Sequence, residues 1–329
     1  MRKIKVAQIG TSRYSHGNNI WNSLKKQNEI FEVVGFAMPE NEREKFPERM
    51  KDFEGFLEMT VEEILFDSTI DAVTIETEEE YITKYALQVA KAKKHLHMEK
   101  PGGCELADFE ELIKIVKENN LVFNVGYMYR YNPYIMELMQ KICNGELGEI
   151  YSVEAQMSCP EPKNLRQWLE NFKGGMMFFL GCHLVDLVLQ IKGTPNRIIP
   201  FNHSLCLDGV KSKDYAMAVF EYDNGVSFVK TSAFEIGGFE RRQLVVCGSK
   251  GTVELKPLEW YDNELIKTCK KECYSTDWHK RGECIWSDTF DRYDDMLNAF
   301  AQYVSGEKQS RYTPDYELNL YKTLLQCCK

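Results

Sequence analysis

The feature that most constrains this chain is the alternation of strand-like and helix-like segments over its first 125 residues. Short apolar runs rich in β-branched residues alternate with stretches whose apolar residues recur at helical spacing. The predicted strands are residues 5–9, 31–38, 71–75, 95–98 and 121–125. Strands separated by helices of this length indicate βαβ units and a parallel sheet. Right-handed crossovers then predict a doubly wound α/β domain over residues 1–125, with ligands at the carboxyl ends of its strands.

Residues 126–329 show a different pattern. Strand signals follow one another without intervening helices around a hairpin signal at Asn224-Gly225, and a buried helix is predicted over residues 182–191. This pattern predicts a second α/β domain with a large open, mostly antiparallel sheet. Because such a sheet leaves one face free, we expect a homo-oligomer, a dimer or tetramer, formed through that face. The two closing helices, 296–303 and 316–325, are candidates for packing back on the first domain.

Composition excludes several classes of protein. Acidic residues outnumber basic ones by 50 to 41, and the net charge of −9 argues against a nucleic-acid partner, because phosphate binding needs a basic surface. The chain contains no apolar run of about 18 residues, so we expect no membrane span. Its charged start is not followed by the apolar stretch of a signal peptide, so we expect a cytoplasmic protein.

The eleven cysteines are scattered without a regular disulfide spacing, so reduced thiols are expected. Cys269, Cys273, His279 and Cys284 lie close together in sequence. Their spacing departs from the C-x-x-C pairs of common zinc sites. We therefore interpret this cluster as a polar surface excursion and predict no metal site.

The turn after the first predicted strand has the position of a dinucleotide-binding turn. Such a turn usually follows the pattern G-x-G-x-x-G, and here the sequence runs GTSRYSHG from Gly10, so that only the first glycine matches. Ser12 and Ser15 are small enough to keep the backbone near a pyrophosphate, and Arg13 adds a positive charge. The free N–H groups at the start of the next helix favour an anion. We therefore predict cofactor contacts from Gly10, Thr11, Ser12, Arg13 and Ser15.

An acidic residue that binds the ribose hydroxyls is expected about 20 positions further on. The second predicted strand ends instead with Met38, which occupies the position of the carboxylate, and Glu40 follows two residues later. Glu40 is either within reach of the ribose or a solvated turn residue. The sequence therefore predicts NAD or NADP without choosing between them.

Four further motifs follow in order. The fourth predicted strand ends in HMEKPG, with Glu99 and Lys100, and the others are GYMYRYNP from Gly126, GCHLVD with His183 and Asp186, and GSKGTVEL from Gly248. This set resembles the glucose-fructose oxidoreductase and inositol dehydrogenase family, Gfo/Idh/MocA, over nearly the whole chain. The resemblance implies a Rossmann domain followed by an α/β domain with a large open sheet. It also implies oxidation or reduction of a hydroxyl group of a sugar, a cyclitol or a related small molecule.

The same resemblance implies roles for particular residues. Lys100 matches the family's active-site lysine, and His183 matches its histidine, the general base for the hydroxyl proton. A histidine near neutral pKa suits that transfer, and an ammonium stabilises a developing alkoxide. Asp186 lies one turn after His183 and either orients the imidazole or supports the start of the helix.

The chain departs from the family at two places. Many members have an aspartate four residues before the histidine, where this chain has Phe179, either a platform for an apolar sugar face or a mark of changed chemistry. The loop after the third strand reads ETEEE from Glu76, in which Thr77 matches the family. We interpret its run of acids, Glu78 to Glu80, as the first turn of a helix, where the macrodipole favours carboxylates.

Further pocket candidates, each either there or in packing or at an interface, are Tyr129, Arg130, Asn132, Met157 and Trp168. Of these, Arg130 and Trp168 fall in segments that line the pocket of similar proteins. The predicted substrate contacts are Arg130, Trp168, Phe179 and Asp186.

Three functions remain open at this point. The first is hydride transfer between a nicotinamide and a hydroxyl carbon. The second is elimination of a glycosidic group after transient oxidation of a sugar by the same cofactor. The third, favoured by the degenerate glycine turn, Met38 and Phe179, is a dinucleotide-binding sensor without catalysis. Retention of both Lys100 and His183 favours an enzyme.

Overall fold

The structure is a computed structural model that describes residues 2–329. Its contacts divide the chain into two units, each built from separate stretches of sequence. The first unit comprises residues 2–128 and Tyr293–Tyr321, and the second comprises Tyr129–Arg292 and Lys322–Lys329.

The first unit is built on one parallel sheet. Its strands are β1 (Ile4–Ile9), β2 (Phe31–Ala37), β3 (Ala72–Ile75), β4 (His95–Met98) and β5 (Phe123–Val125). They lie in the order β2-β1-β3-β4-β5, and every neighbouring pair is parallel. All four side chains of β3 are buried, as expected for a sheet covered on both faces. The order reverses at β1, so the switch point where such folds bind ligands lies between β1 and β3.

Helices connect these strands. They are α1 (Gly17–Lys26), α2 (Glu42–Lys45), α3 (Val61–Phe66), α4 (Ile82–Lys91) and α5 (Leu106–Glu118), with a 3-10 segment at Pro47–Phe53. Thr60 and Glu63 form a capping box at the start of α3: the Thr60 hydroxyl accepts from the Glu63 N–H, and the Glu63 carboxylate accepts from the Thr60 N–H. Trp21 of α1 packs against Phe36 and Phe53, which holds the 3-10 segment close to the carboxyl end of β2.

Two later helices are α9 (Asp294–Val304) and α10 (Pro314–Cys327). The α9 helix belongs to the first unit, where Ser23 Oγ and Lys26 Nζ of α1 donate to the Asp294 carboxylate at 2.6 and 2.5 Å. Asp294 lies in the first turn of α9, where the helix dipole also favours a carboxylate.

The second unit contains a mixed, mostly antiparallel sheet. Its strands are β6 (Ile150–Gln156), β7 (Arg197–His203), β8 (Tyr215–Tyr222), β9 (Gly225–Ser232), β10 (Gln243–Gly248), β11 (Thr252–Leu255), β14 (Cys269–Cys273) and β15 (Cys284–Trp286). They lie in the order β15-β14-β11-β10-β6-β9-β8-β7, with β6 and β9 parallel and the other pairs antiparallel. The strands β12 (Trp260–Asp262) and β13 (Leu265–Lys267) form a separate ribbon.

The remaining helices of the chain pack in and around this sheet. They are α6 (Pro133–Cys143), α7 (Lys163–Trp168) and α8 (Cys182–Lys192), with 3-10 turns at Met128–Tyr131 and Leu169–Asn171 and a π-helical turn at Met177–Gly181. Every residue of α8 from Cys182 to Leu189 is buried. Side chains of β8 alternate between buried and half-buried, so one face of the sheet carries the core and the other is partly accessible.

These observations confirm the predicted fold class, an α/β protein with a parallel N-terminal sheet and a large, mostly antiparallel second sheet. The predicted hairpin is also present, with Tyr222 of β8 paired to Gly225 of β9. Within residues 2–329, no helix combines the length and apolar character needed to cross a membrane. The same residues contain no group of three or more His, Cys, Asp or Glu side chains arranged to hold a metal ion, and Cys269, Cys273 and Cys284 are free thiols on β14 and β15.

Candidate functional site

The turn between β1 and α1 has a positive φ at two residues and leaves no room for a Cβ at a third. Gly10 has φ +83°, and a Cβ there would lie 2.5 Å from Cγ2 of Thr77, so no other residue fits. Ser12 also has positive φ, at 48°, in the position of the missing second glycine. At Gly17 a Cβ would come within 2.9 Å of Thr11 Cα. The turn thus keeps the backbone of the fingerprint although its sequence is degenerate, and Gly17 closes it, a role that the sequence analysis did not assign.

Two guanidinium groups lie at this turn. Arg49, from the 3-10 segment, donates from Nε to Thr11 Oγ1 at 3.0 Å, and its terminal nitrogens donate to the carbonyls of Arg13 and Ser15 at 3.1 and 3.2 Å. Arg13 stacks on the Phe46 ring, with its guanidinium carbon 5.2 Å from the centroid. Arg49 could not be found from the sequence, because it lies far from the motif and reaches it only through the packing of Trp21. Together the two arginines supply positive charge where a pyrophosphate is expected.

A buried carboxyl group, that of Glu42 at the start of α2, also lies at this turn. Its two oxygens accept from the backbone N–H groups of Thr11 and Glu78, at 2.7 and 3.3 Å. Glu42 therefore lies between the carboxyl ends of β1 and β3, at the switch point. Burial raises the pKa of Glu42 to about 7, although the hydrogen bonds from Thr11 and Glu78 oppose the rise.

Met38 and Glu40, which the sequence analysis considered for the ribose contact, have other surroundings. Met38 packs against the cluster of Trp21, Phe36 and Phe53. Glu40 accepts from Lys84 Nζ at 2.6 Å and from Tyr85 Oη at 2.7 Å, so it is held by these two partners. Near them a groove lies at the carboxyl end of β2, lined by residues that include Met38, Glu58, Thr60, Lys84 and Gln88.

The acidic loop after β3 corrects one prediction. Glu78 to Glu80 were expected in the first turn of a helix, but α4 begins only at Ile82 and has no acid in its first turn. Glu76, Thr77 and Glu79 are instead fully buried or nearly so. The prediction was wrong because it treated the run as a surface helix, whereas sheet hydrogen bonds extend as far as Glu76 and a backbone turn, with the Tyr81 N–H donating to the Glu78 carbonyl at 2.8 Å, precedes α4. The N–H of Glu76 donates to the Ile9 carbonyl and that of Glu99 to the Ile75 carbonyl, at 2.8 and 3.0 Å.

Lys100 follows Glu99 at the carboxyl end of β4. Its side chain is 5% exposed, and Nζ lies 3.8 Å from Glu99 Oε1. The peptide bond from Lys100 to Pro101 is cis. The turn beyond it is anchored by hydroxyl groups: Thr83 Oγ1 donates to the Gly102 carbonyl at 2.8 Å and Tyr321 Oη to the Gly103 carbonyl at 2.9 Å. The lysine is thus fixed on a turn whose backbone groups have partners.

In the second unit, His183 lies in the first turn of α8, directly after the π-helical turn. It is 2% exposed, and the ring of Tyr129 meets its imidazole edge-on with centroids 5.1 Å apart. Tyr129 Oη donates to Glu259 Oε1 at 2.5 Å. Glu259 also accepts from Arg242 and Arg292, at 2.5 and 2.7 Å. The histidine therefore packs on a tyrosine that a buried charged network holds in place.

Asp186 is paired with Arg130. Nε of Arg130 donates to Oδ2 at 3.0 Å and NH2 donates to Oδ1 at 2.8 Å, with both side chains almost fully buried. Gln190 Nε2 donates to Oδ2 at 2.8 Å. This bidentate pair joins α8 to the segment before α6. A substrate contact from either residue stays a prediction.

Aromatic rings surround the position where many family members have a carboxylate. Phe179, in the π-helical turn, meets Trp168 of α7 edge-on with centroids 5.5 Å apart. Trp168 also meets Phe172, at 4.7 Å. Asn132 caps α6 through Tyr134 N and Ile135 N and donates to the Leu258 carbonyl at 3.1 Å, while Met157 is fully buried.

Comparison with known proteins matches two family models. The model described as oxidoreductase family, NAD-binding Rossmann fold, matches residues 4–127, and the GFO/IDH/MocA C-terminal domain matches residues 135–254. The myo-inositol 2-dehydrogenase of Thermotoga maritima is 25% identical over 196 residues, which are 58% of this chain and 58% of that enzyme. The match thus spans less than two thirds of this curated relative.

Solved structures agree in fold. UDP-N-acetylglucosamine 3-dehydrogenase from Acidithiobacillus ferrooxidans has a TM-score of 0.77 at 19% identity, covering 99% of this chain and 97% of that one. A 3-ketoreductase from Actinomadura kijaniata, solved with NADP, has a TM-score of 0.77 at 15% identity, covering 98% and 96%. The two family models, found in the order and positions that the motifs predict, identify this chain as a member of the GFO/IDH/MocA oxidoreductase family, with an NAD-binding Rossmann domain at its N-terminus.

Proposed function

We propose that this protein transfers a hydride between a nicotinamide and a hydroxyl carbon of a sugar, a cyclitol or a similar small polar molecule. The observation that carries the proposal is the turn from Gly10 to Gly17, which keeps a glycine-like backbone at the switch point beside two arginines. The motif that contains Lys100 ends on the same edge of the sheet. Membership in an oxidoreductase family supports the reaction type, while the substrate class is part of the proposal.

The residues of the first unit fit a dinucleotide. Arg13 and Arg49 supply charge for the phosphates, and the buried hydroxyls of Ser12 and Thr77 have no hydrogen-bond partner in the described part of the chain. Buried hydroxyls without partners are uncommon, and a ligand with many acceptors and donors would satisfy them. We propose that Gly10, Thr11, Ser12, Arg13, Ser15, Thr77, Glu99 and Lys100 contact the cofactor, and that Met38 contacts it through the groove at β2.

We propose NAD over NADP from the charges near the carboxyl end of β2, where the ribose hydroxyls are expected. The nearby Lys84, a candidate partner for a phosphate, is already paired with Glu40. This preference is measured by titrating NAD+ and NADP+ into the protein in parallel.

Lys100 and His183 are the proposed catalytic residues. When bound, the dinucleotide supplies the acceptor or the donor of the hydride. In the oxidative direction, an imidazole nitrogen of His183 takes the hydroxyl proton as the C–H bond breaks. The Nζ ammonium of Lys100 stabilises the negative charge that develops on the hydroxyl oxygen.

Trp168 and Phe179 are proposed to form an apolar wall for the substrate. Aromatic faces pack well against the C–H groups of a sugar or cyclitol ring. Arg130 and Asp186 are proposed to support this region as a charged pair.

The test combines binding with turnover. Lys100→Ala and His183→Ala are expected to abolish turnover while leaving dinucleotide affinity within a few-fold, because both residues act on the reacting groups. Matched controls are Lys114→Ala and His203→Ala, which change exposed side chains of the same types. Turnover like that of the unsubstituted protein in either catalytic variant would refute the assignment.

A dinucleotide-binding sensor is the second candidate, favoured by Phe179 in place of a carboxylate. It predicts tight binding of one dinucleotide without oxidation of any sugar or cyclitol in a screen. Turnover that depends on both Lys100 and His183 would exclude it.

We also propose that the partly accessible face of the second unit's sheet joins copies of the chain into a dimer or tetramer. Light scattering coupled to size-exclusion chromatography measures this directly, and a monomer at micromolar concentration would contradict it.

A further inference from the structure

A cavity of about 440 Å³ lies in the second unit, beside the edge strand β7. Its walls come from the segment after α7, from Asn202 of β7, from the segment just before β8 and from the last two residues. Pockets of about 300–1,000 Å³ hold small molecules, so this cavity has the size of a ligand site. The proposed catalytic and substrate residues His183, Trp168 and Phe179 do not line it.

The cavity carries an excess of positive charge. Its lining includes the exposed lysines Lys173, Lys211, Lys213 and Lys329, against one acidic side chain, Glu170. None of these four ammonium groups forms an ion pair within residues 2–329. Counting a main-chain carboxylate on Lys329 as well still leaves four positive charges against two negative ones. In a chain whose net charge is −9, unpaired cations gathered around one cavity favour an anionic ligand.

Two polar side chains of the lining provide an independent observation. Ser212, between two of the lysines, is 2% exposed, and its Oγ has no hydrogen-bond partner among the described residues. The same holds for Oδ1 of Asn202, whose Nδ2 donates to the carbonyls of Cys327 and Lys329 at 2.8 and 3.0 Å. Buried polar atoms without partners are uncommon. A ligand with both phosphate oxygens and hydroxyl groups supplies an acceptor for the serine and a donor for the asparagine.

The walls of the cavity are held by close backbone contacts. Gly174 and Gly175 have φ of +78° and +47°, and a Cβ on them would collide with Cys328 Sγ and with the Lys213 carbonyl oxygen. That carbonyl accepts from the Met176 N–H at 2.8 Å. Glu170 is also used in the wall, because its Oε1 accepts from the Lys211 N–H at 2.8 Å. The lysines are therefore carried by a packed frame rather than by independent surface loops.

We propose that this cavity is a binding site for a small molecule that carries a phosphate group and hydroxyl groups. An ammonium group is a compact charge with three donors, and a phosphate group offers three strong acceptor oxygens and about two negative charges. Four lysines match that charge better than they match a single carboxylate. The site lies within the second unit and is additional to the dinucleotide site proposed for the first, so the inference does not depend on the proposed function.

The experiment is calorimetric titration of the full chain with inorganic pyrophosphate in a phosphate-free buffer. We expect saturable binding by the unsubstituted protein. The double variant Lys211→Ala/Lys213→Ala removes two exposed charges and should lose about tenfold or more in affinity. Ser212→Ala should weaken binding several-fold without lowering the melting temperature, because the hydroxyl that it removes has no partner in the free protein.

The matched control is Lys250→Ala/Lys256→Ala, which removes two exposed lysines of the same unit that do not line the cavity. It should bind pyrophosphate within twofold of the unsubstituted protein. An equal loss in both double variants would show general attraction to surface charge and overturn the site, as would the absence of binding to the folded protein.

A second titration separates this site from the dinucleotide site. It is repeated with the protein saturated with whichever of NAD+ and NADP+ binds, and the affinity for pyrophosphate should stay within twofold. Binding that the dinucleotide abolishes and the Lys211→Ala/Lys213→Ala variant retains would assign pyrophosphate to the turn at Gly10. That result would overturn the inference while supporting the proposed function.

Discussion

The buried pair of Arg130 and Asp186 allows a structural role to be separated from substrate binding. Asp186→Asn keeps the shape of the side chain but removes the charge opposite the guanidinium. The variant replaces the carboxylate that makes the two hydrogen bonds of 3.0 and 2.8 Å by a neutral amide, while both side chains are almost fully buried. Removing the charge of one partner from a buried pair costs about 3–5 kcal/mol, because the strongest electrostatic contact of the remaining charge is lost where water does not replace it.

The assay is thermal unfolding, and the quantity measured is the melting temperature of the second unit. For a unit of this size, about 3–5 kcal/mol corresponds to a loss of about 6–20 °C in melting temperature. The double variant Arg130→Met/Asp186→Leu removes both charges and should recover most of the loss, since apolar side chains of similar volume replace buried ion pairs at little cost. A change below about 1 kcal/mol in Asp186→Asn, accompanied by a large rise in KM for substrate, would refute the structural role and favour a substrate contact.

Three further outcomes are expected. Gly10→Ala should weaken dinucleotide binding and lower the melting temperature, because φ of +83° and the 2.5 Å approach to Thr77 strain any Cβ; an unchanged affinity would argue against the turn as the binding site. Ser12→Gly should stabilise the protein by about 1 kcal/mol in urea unfolding, because it relieves a positive φ and removes an unpartnered buried hydroxyl. Stability should fall as pH rises from about 4.5 to about 8, since the native carboxyl of Glu79 holds a proton that the unfolded chain releases; Glu79→Gln should flatten this dependence in urea unfolding at pH 5 and pH 8.

The division of the chain into a parallel and a mostly antiparallel sheet could be predicted because hydrophobic periodicity and connection lengths are local properties. A local signal, Asn224-Gly225, also predicted the hairpin between β8 and β9. The strand β7 and the pair β14 and β15 were missed, because half-buried edge strands such as Arg197–His203 carry a weak apolar pattern.

The candidate site was less predictable for a physical reason. Glu42 and Arg49 reach the turn through tertiary packing, so no spacing rule identifies them. The acidic run after β3 has the composition of a solvated surface, but the fold buries Glu76 and Glu79, which composition alone does not reveal. Gly10 and the motif at Lys100, in contrast, lie at strand ends whose positions follow from the alternation itself.

The discontinuous first unit has a consequence for how the chain acquires its structure during synthesis. Residues 2–128 leave the ribosome first, but α9, whose Asp294 receives hydrogen bonds from Ser23 and Lys26, is made only after the whole central stretch of the second unit. At roughly 5–20 residues per second, the roughly 160 intervening residues delay its arrival by roughly 10–30 s. During that interval the face of α1 that later receives α9 is uncovered on the nascent chain. A chaperone that binds nascent chains therefore has a defined window in which to engage this face, which closes when α9 emerges.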